Sequence, residues 1–276
     1  MQASPGNIEW GAMPRKKTCY GDGAFPTHEE RFALLDRSLW QPISLSRHVS
    51  HIYSQADGMC TANGAVQCMM VERDFRNRPR NPLLSPEYLY GQVARWGQGS
   101  SLDEILRALV DGGCCTWEQV PQAGGHLAKS WPEDHETLAA ENRVLEWIDL
   151  NADFDAVATS LQHVRPVLGG VRWDGDPRKG HAICVTELVQ FTRVAVARLT
   201  HLGWNPPRGL KYDTWGCRGP NSWDETWGEE PGYTDDDLRW LESAGREPLT
   251  GGWYTLTESE CRDFRDFGCW AVGTST

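Results

Sequence analysis

The sequence predicts an α+β protein, helical in its first half and built of short, mainly antiparallel strands in its second. Between residues 60 and 112, apolar side chains recur at three- and four-residue steps behind N-cap and capping-box signals. From residue 164 onward, short runs of Val, Ile and Leu alternate with Gly, Pro and Asp. No internal repeat is visible, and 276 residues suit one ordinary domain or two small ones.

The first 40 or so residues carry Pro5, Gly6, Gly11, Pro14, Gly21, Gly23 and Pro26 with little periodicity. They read as a loose lead, with a short helix over 29–36. From Cys60, the spacing of Ala62, Ala65, Val66, Met69, Met70 and Phe75 predicts a helix with one buried face. Ser85-Pro86-Glu87 places an N-cap before Pro at the first helical position and opens a second helix, to about Trp96. Ser101 with Glu104 forms a capping box for a third, which stops at Gly112-Gly113. A weaker helix is expected over 154–163. Strands are expected over 164–172, 181–188, 194–202, 253–256 and 269–272. Among them lie a Gly/Pro/Trp-rich loop over 203–232, an acidic helix over 234–244 and a short helix from Thr257, boxed by Glu260.

Asp and Glu number 38 against 27 Lys and Arg, a net charge of −11. That balance argues against a broad phosphate-binding surface, so no nucleic-acid partner is expected. The basic stretches 15–17 and 73–80 read as solvated surface. No run approaches the roughly 20 apolar residues of a membrane span. Residues 1–10 lack the apolar core of an export signal, so a cytoplasmic or virion-associated location is expected. Nine cysteines, an odd number without any CxxC pair, favour reduced thiols over a disulfide framework or a structural zinc. The adjacent Cys114 and Cys115 read as small buried apolar residues. No metal and no cofactor are expected. Fourteen Trp exclude low-complexity disorder, and five of them fall within 203–241.

The chemistry centres on Cys60. It stands at the start of a helix, behind Gly58, where first-turn N–H groups and the helix dipole favour a thiolate. Such a nucleophile needs a general base distant in sequence. His181 fits, because it follows Gly180 and opens the apolar strand Ala182-Ile183-Cys184-Val185. The base needs an orienting group, and Asn221 can accept the imidazole N–H, with Trp223 covering that bond.

These segments resemble the papain-like cysteine peptidases, in the form of bacterial and viral members. Ser54-Gln55-Ala56-Asp57-Gly58-Met59-Cys60-Thr61-Ala62-Asn63 is similar to the nucleophile segment, and Gly180-His181-Ala182 to the histidine strand. Asn221-Ser222-Trp223 with Trp227-Gly228 is similar to the asparagine segment. The order Cys, His, Asn and the separations of 121 residues (181 − 60) and 40 residues (221 − 181) suit that fold. The likeness covers roughly residues 45–272. It implies a papain-like two-lobed fold, with a helical lobe over about 55–160 and an antiparallel, barrel-like β lobe over about 161–276. The cleft lies between the lobes.

The resemblance further implies a Cys60 thiolate paired with a His181 imidazolium, Asn221 as orienter and Gln55 as oxyanion donor. Gly58, Gly99, Ser100, Gly180 and Trp223 are carried over as the substrate-binding set. The partner implied is a protein or peptide substrate. Four departures stand out. Gln55 lies five residues before the cysteine where the family has six, and Asp57 replaces a cysteine of secreted members. Pro220 replaces a basic residue and Asp224 a glycine. Residues 229–251 read as an insertion, which leaves open whether Gly232-Tyr233 or Gly252-Trp253 closes the segment. Only 59 residues precede Cys60, so the family's long inhibitory propeptide is expected to be absent. The extension 1–40 ahead of the domain 41–276 is expected to lie on the surface or partly cover the cleft. Two other functions fit the same residues. One is a non-catalytic component of a virion or other large assembly, docking through the Trp-rich loop; the other is an amidase or transferase using the same triad.

Overall fold

The computed structural model describes residues 12–13, 25–55, 58–76, 82–93, 99–121, 131–173, 176–223 and 225–273. The basic stretch 15–17, Cys19, Asp57, residues 77–80, the expected end of the second helix over 94–98 and Asp224 lie outside the described residues. The first half contributes β1 (Ala12–Met13), β2 (Ile43–Ser44), α1 (Cys60–Phe75), α2 (Pro86–Val93), β3 (Ser100–Ser101), α3 (Leu102–Asp111), α4 (His135–Ala140), β4 (Trp147–Asp149) and α5 (Phe154–Gln162). The second half contributes β5 (Val167–Trp173), β6 (Asp176–Val185), β7 (Glu187–Gln190), α6 (Arg193–His201), β8 (Trp215–Pro220), α7 (Asp235–Ser243), β9 (Trp253–Thr257), α8 (Phe264–Phe267) and β10 (Cys269–Val272).

The architecture is α+β. A six-stranded sheet runs β3-β1-β6-β5-β10-β4, antiparallel except for the parallel β1–β3 pair. A four-stranded antiparallel sheet runs β2-β7-β8-β9. Helix α1 crosses β5 and β6 on one side and is covered by α2 and α3 on the other. That placement corrects the expectation of a single buried face: every residue from Cys60 to Arg73 is buried. Its polar residues Thr61, Asn63 and Gln67 therefore lie inside the protein.

Capping signals fared well. Ser101 Oγ accepts from Glu104 N while Glu104 Oε2 accepts from Ser101 N, both at 3.3 Å. Thr234 and Asp237 form the same box on α7. The Thr257–Glu260 bonds form too, but Thr257 ends β9 and the helical turn starts at Glu260.

Four expectations fail. Residues 193–201 form a helix, not a strand. Thr192 Oγ1 caps it by accepting from Ala195 N at 3.1 Å, and Val196 and Leu199, three apart, are the buried pair while Val194 is 80% exposed. The helix expected over 29–36 is instead two 3-10 turns, His28–Glu30 and Arg37–Leu39. This part of the lead is not loose, since Asp149 N donates to Pro26 O at 2.9 Å and Trp40 is buried against Phe154 and Trp215. Strand β8 emerges inside the expected loop, and α4 and β4 carried no recognised signal.

Packing explains β8. A Cβ on Gly219 would lie 2.0 Å from Cys184 O, so only glycine lets β8 pass this close to β6. Arg218, next to it, is 2% exposed and bonds Glu187 at 3.2 Å, Glu229 at 3.4 Å and Glu230 O at 2.8 Å. Burial pushes the Glu229 carboxyl up while Arg218 pulls it back. The ion cluster joins β7, β8 and the start of the 229–251 segment. The remaining tryptophans of the Trp-rich region have internal partners. Trp204 stacks on Phe191 at 5.0 Å, Trp215 meets Trp40 at 5.5 Å, and Trp240 lies 5.0 Å from His48 with Arg246 above it at 5.4 Å.

Candidate active site

Gly58 adopts φ 70°, a left-handed conformation that favours glycine, and turns the chain into α1. Met59 takes the N-cap position and supplies no side-chain acceptor, so no cap competes for the first-turn N–H groups of this 16-residue helix. Cys60 is its first residue and is fully buried.

Contacts between α1 and β6 fix the level at which Cys60 sits. A Cβ on Gly64 would lie 3.7 Å from Ala182, and Cys68 Sγ lies 3.1 Å from Cys184 Sγ. Four residues along the helix thus match two along the strand, about 6 Å against about 6.6 Å. One step back brings Cys60 level with Gly180, next to His181.

His181 is buried, and its Nε2 lies 2.6 Å from Asn221 Oδ1. Asn221 N donates to Gly252 O at 2.7 Å, and Ser222 N donates to the same Oδ1 at 2.7 Å. Two donors on one amide oxygen fix its orientation, so Nε2 carries the imidazole proton and Nδ1 is the base nitrogen. Burial pushes the His181 pKa down to about 4, with the Asn221 bond pulling the other way. Trp223 packs on the imidazole at 4.9 Å between centroids and is braced edge-on by Trp227 at 4.6 Å. It shields the His181–Asn221 bond from water.

Gln55 lies beside this pair. Its N donates to Ser222 O at 2.7 Å, its Oε1 accepts from Ser222 Oγ, and Ser54 bridges to Trp223. With Oε1 engaged, Nε2 is the donor the side chain has to offer. Gly252 N donates to Trp227 O at 2.7 Å, and Trp253 pairs with Pro220, so the 229–251 segment leaves and returns beside Asn221. Gly232 instead gives its carbonyl to Arg198 at 2.6 Å.

Gly99 turns at φ 62°, and the buried Ser100 points its hydroxyl at Thr61 Oγ1, 2.6 Å away. Ser100 therefore presents its backbone, not its hydroxyl, to the neighbouring strand. That strand is β1: Ala12 pairs with Ser100 on one side and with Gly180 on the other. The lead thus runs between the two segments carried over as substrate-binding, and nothing in its sequence pattern had marked it as a strand.

No family model matches the sequence, and no curated protein matches it. Solved structures do. Xylellain, a cysteine protease from Xylella fastidiosa, superposes with a TM-score of 0.68 at 13% identity over 98% of this chain and 97% of that one. Procathepsin B S9 from Trypanosoma congolense gives 0.61 at 13% identity over 97% and 87%. The fold is papain-like. A third match, digestive procathepsin L 3 from the larval midgut of Tenebrio molitor, has a TM-score of 0.58 at 12% identity, over 90% of this chain and 76% of that one. The papain-like frame is shared at identities that leave the chemistry to be argued from this chain's own residues.

Proposed function

We propose that the protein is a cysteine peptidase whose cleft is covered by its own lead. The observation that carries this is the 2.6 Å His181–Asn221 bond under Trp223, level with the first residue of α1. In this reading His181 Nδ1 takes the Cys60 thiol proton, and the thiolate, stabilised at the helix start, attacks a peptide carbonyl. The Cys60 N–H and Gln55 Nε2 meet the oxyanion. The imidazolium then protonates the leaving amine. Water, deprotonated by the neutral ring, hydrolyses the thioester and regenerates the thiol.

Burial alone favours a neutral ring, so the ion pair needs the thiolate's charge and the water that returns when β1 leaves. An extended substrate would take the place of β1, bonding to the edges that Gly180 and Ser100 then expose. The test is hydrolysis of a positionally scanned peptide library. Cleavage lost in Cys60→Ala and in His181→Ala supports the proposal; cleavage surviving both variants refutes it.

A further inference from the structure

Three buried side chains around one small cavity each carry a polar atom without a partner. Asn63 Oδ1, Gln67 Nε2 and Asn221 Nδ2 are shielded from solvent and hydrogen-bond neither one another nor any other described group. All three residues line a single cavity beneath the site, between α1, β6 and the end of β8. Its space for the centre of a water molecule is about 10 Å³, and roughly 10–15 Å³ by that measure holds one water. Gly64 also lines it.

The donors and acceptor are complementary to one water. Asn63 Nδ2 already donates to Met59 O at 2.8 Å, which turns Oδ1 toward the cavity as an acceptor. Asn221 Oδ1 is engaged by His181 and Ser222, which turns Nδ2 toward the cavity as a donor. Gln67 Nε2 is a second donor. A water there accepts two N–H bonds with its two lone pairs and gives one hydrogen to Asn63, about the three bonds usual for buried waters.

We propose that Asn63 and Gln67 are positioning residues that hold the Asn221 amide in register with His181 through one buried water. The link is rigid because its far end is the interior of α1, the helix that begins with Cys60. Nucleophile and orienter are thereby referenced to one element. The positioning role rests on the peptidase reading; the water site does not.

A crystal structure of the full chain, at a resolution that orders internal waters, is expected to show one water within about 3.2 Å of all three atoms. An empty cavity, or direct pairing of the three side chains, overturns the site. For the role, Gln67→Met removes the donor at nearly constant length, whereas Gln67→Asn keeps it and leaves room for a second water. Gln67→Met is expected to lower kcat about tenfold at unchanged KM and to move the alkaline limb of kcat/KM to lower pH. Gln67→Asn is expected to restore most of both. A Gln67→Met protein with wild-type kcat and an unmoved limb overturns the role, as does a loss that Gln67→Asn fails to rescue. The two ideas fail separately. Absence of peptide cleavage by both the full chain and the chain lacking residues 1–24 would sink the peptidase reading while leaving the water visible in the crystal, whereas unchanged cleavage in Asn221→Ala would overturn the positioning role alone.

Discussion

Removing residues 1–24 should unmask the site. Strand β1 is tied to its neighbours by three register pairs, Ala12 to Ser100, Met13 to Ser101 and Ala12 to Gly180. At a net of about 1 kcal/mol for each pair, they hold the strand down by about 3 kcal/mol. Ordering its two residues costs about 2–4 kcal/mol and offsets most of that, so about 3 kcal/mol is the ceiling on the hold. Each 1.4 kcal/mol is tenfold in population, so deletion should raise kcat/KM on a fluorogenic peptide by at most about 100-fold, with the apparent KM falling more than kcat rises. A milder perturbation, Ala12→Pro, removes one backbone donor and should give a smaller gain in the same direction. Unchanged or lower kcat/KM in both proteins, with the melting temperature retained, would refute the covering role.

Asn221→Ala removes a bond to a ring that must become charged, worth about 1.5–3 kcal/mol, so kcat should fall roughly 10- to 150-fold with little change in KM. Arg218→Ala leaves Glu187 and Glu229 buried and uncompensated. A loss of about 3–5 kcal/mol is expected in urea unfolding, and Arg218→Lys should recover only part of it. The buried imidazole also sets a pH dependence of stability, measurable by denaturation of Cys60→Ala, which lacks the thiolate. The folded-state pKa of about 4 lies below the ordinary value of about 6.5. Protons therefore bind the unfolded chain first. Stability from this group is complete above about pH 6.5, declines as pH falls toward 4, and loses up to about 3 kcal/mol. The double variant Cys60→Ala/His181→Gln should lack that component.

What could be read directly from the chain was whatever rests on local chemistry. The capping box at Ser101 depends on two residues three apart, and that helix begins where the box places it. The helix start at Cys60 and the pairing of His181 with Asn221 were legible because each lies in a short segment whose neighbours have their own tasks, Gly58 turning and Trp223 covering. Long-range pairing was not legible. Strand β8 reads Trp-Gly-Cys-Arg-Gly-Pro, poor in β-formers, and exists because β7 and β9 flank it and Glu187 and Glu229 receive Arg218. Residues 193–201 misled because Val-Ala-Val alternation suggests a strand, while the cap at Thr192 and the Phe191–Trp204 stack select a helix. The apolar spacing of α1 predicted one buried face and gave Gln67 no role and Asn63 none beyond its place in the nucleophile segment. Only the burial of α1 on all sides turns them into a demand for partners.

The most direct test is covalent trapping. The chain lacking residues 1–24 is treated near pH 6 with a peptidyl epoxide, and the adduct is mapped by peptide mass spectrometry. One adduct is expected, on Cys60, formed far faster than alkylation of a free thiol, slower in the full chain and absent in Cys60→Ala. Cys114 and Cys115 should stay unmodified, since burial pushes their pKa values to about 12 and about 11. Labelling of Cys60 no faster than a free thiol, with the fold intact, would contradict a papain-type nucleophile in this cleft.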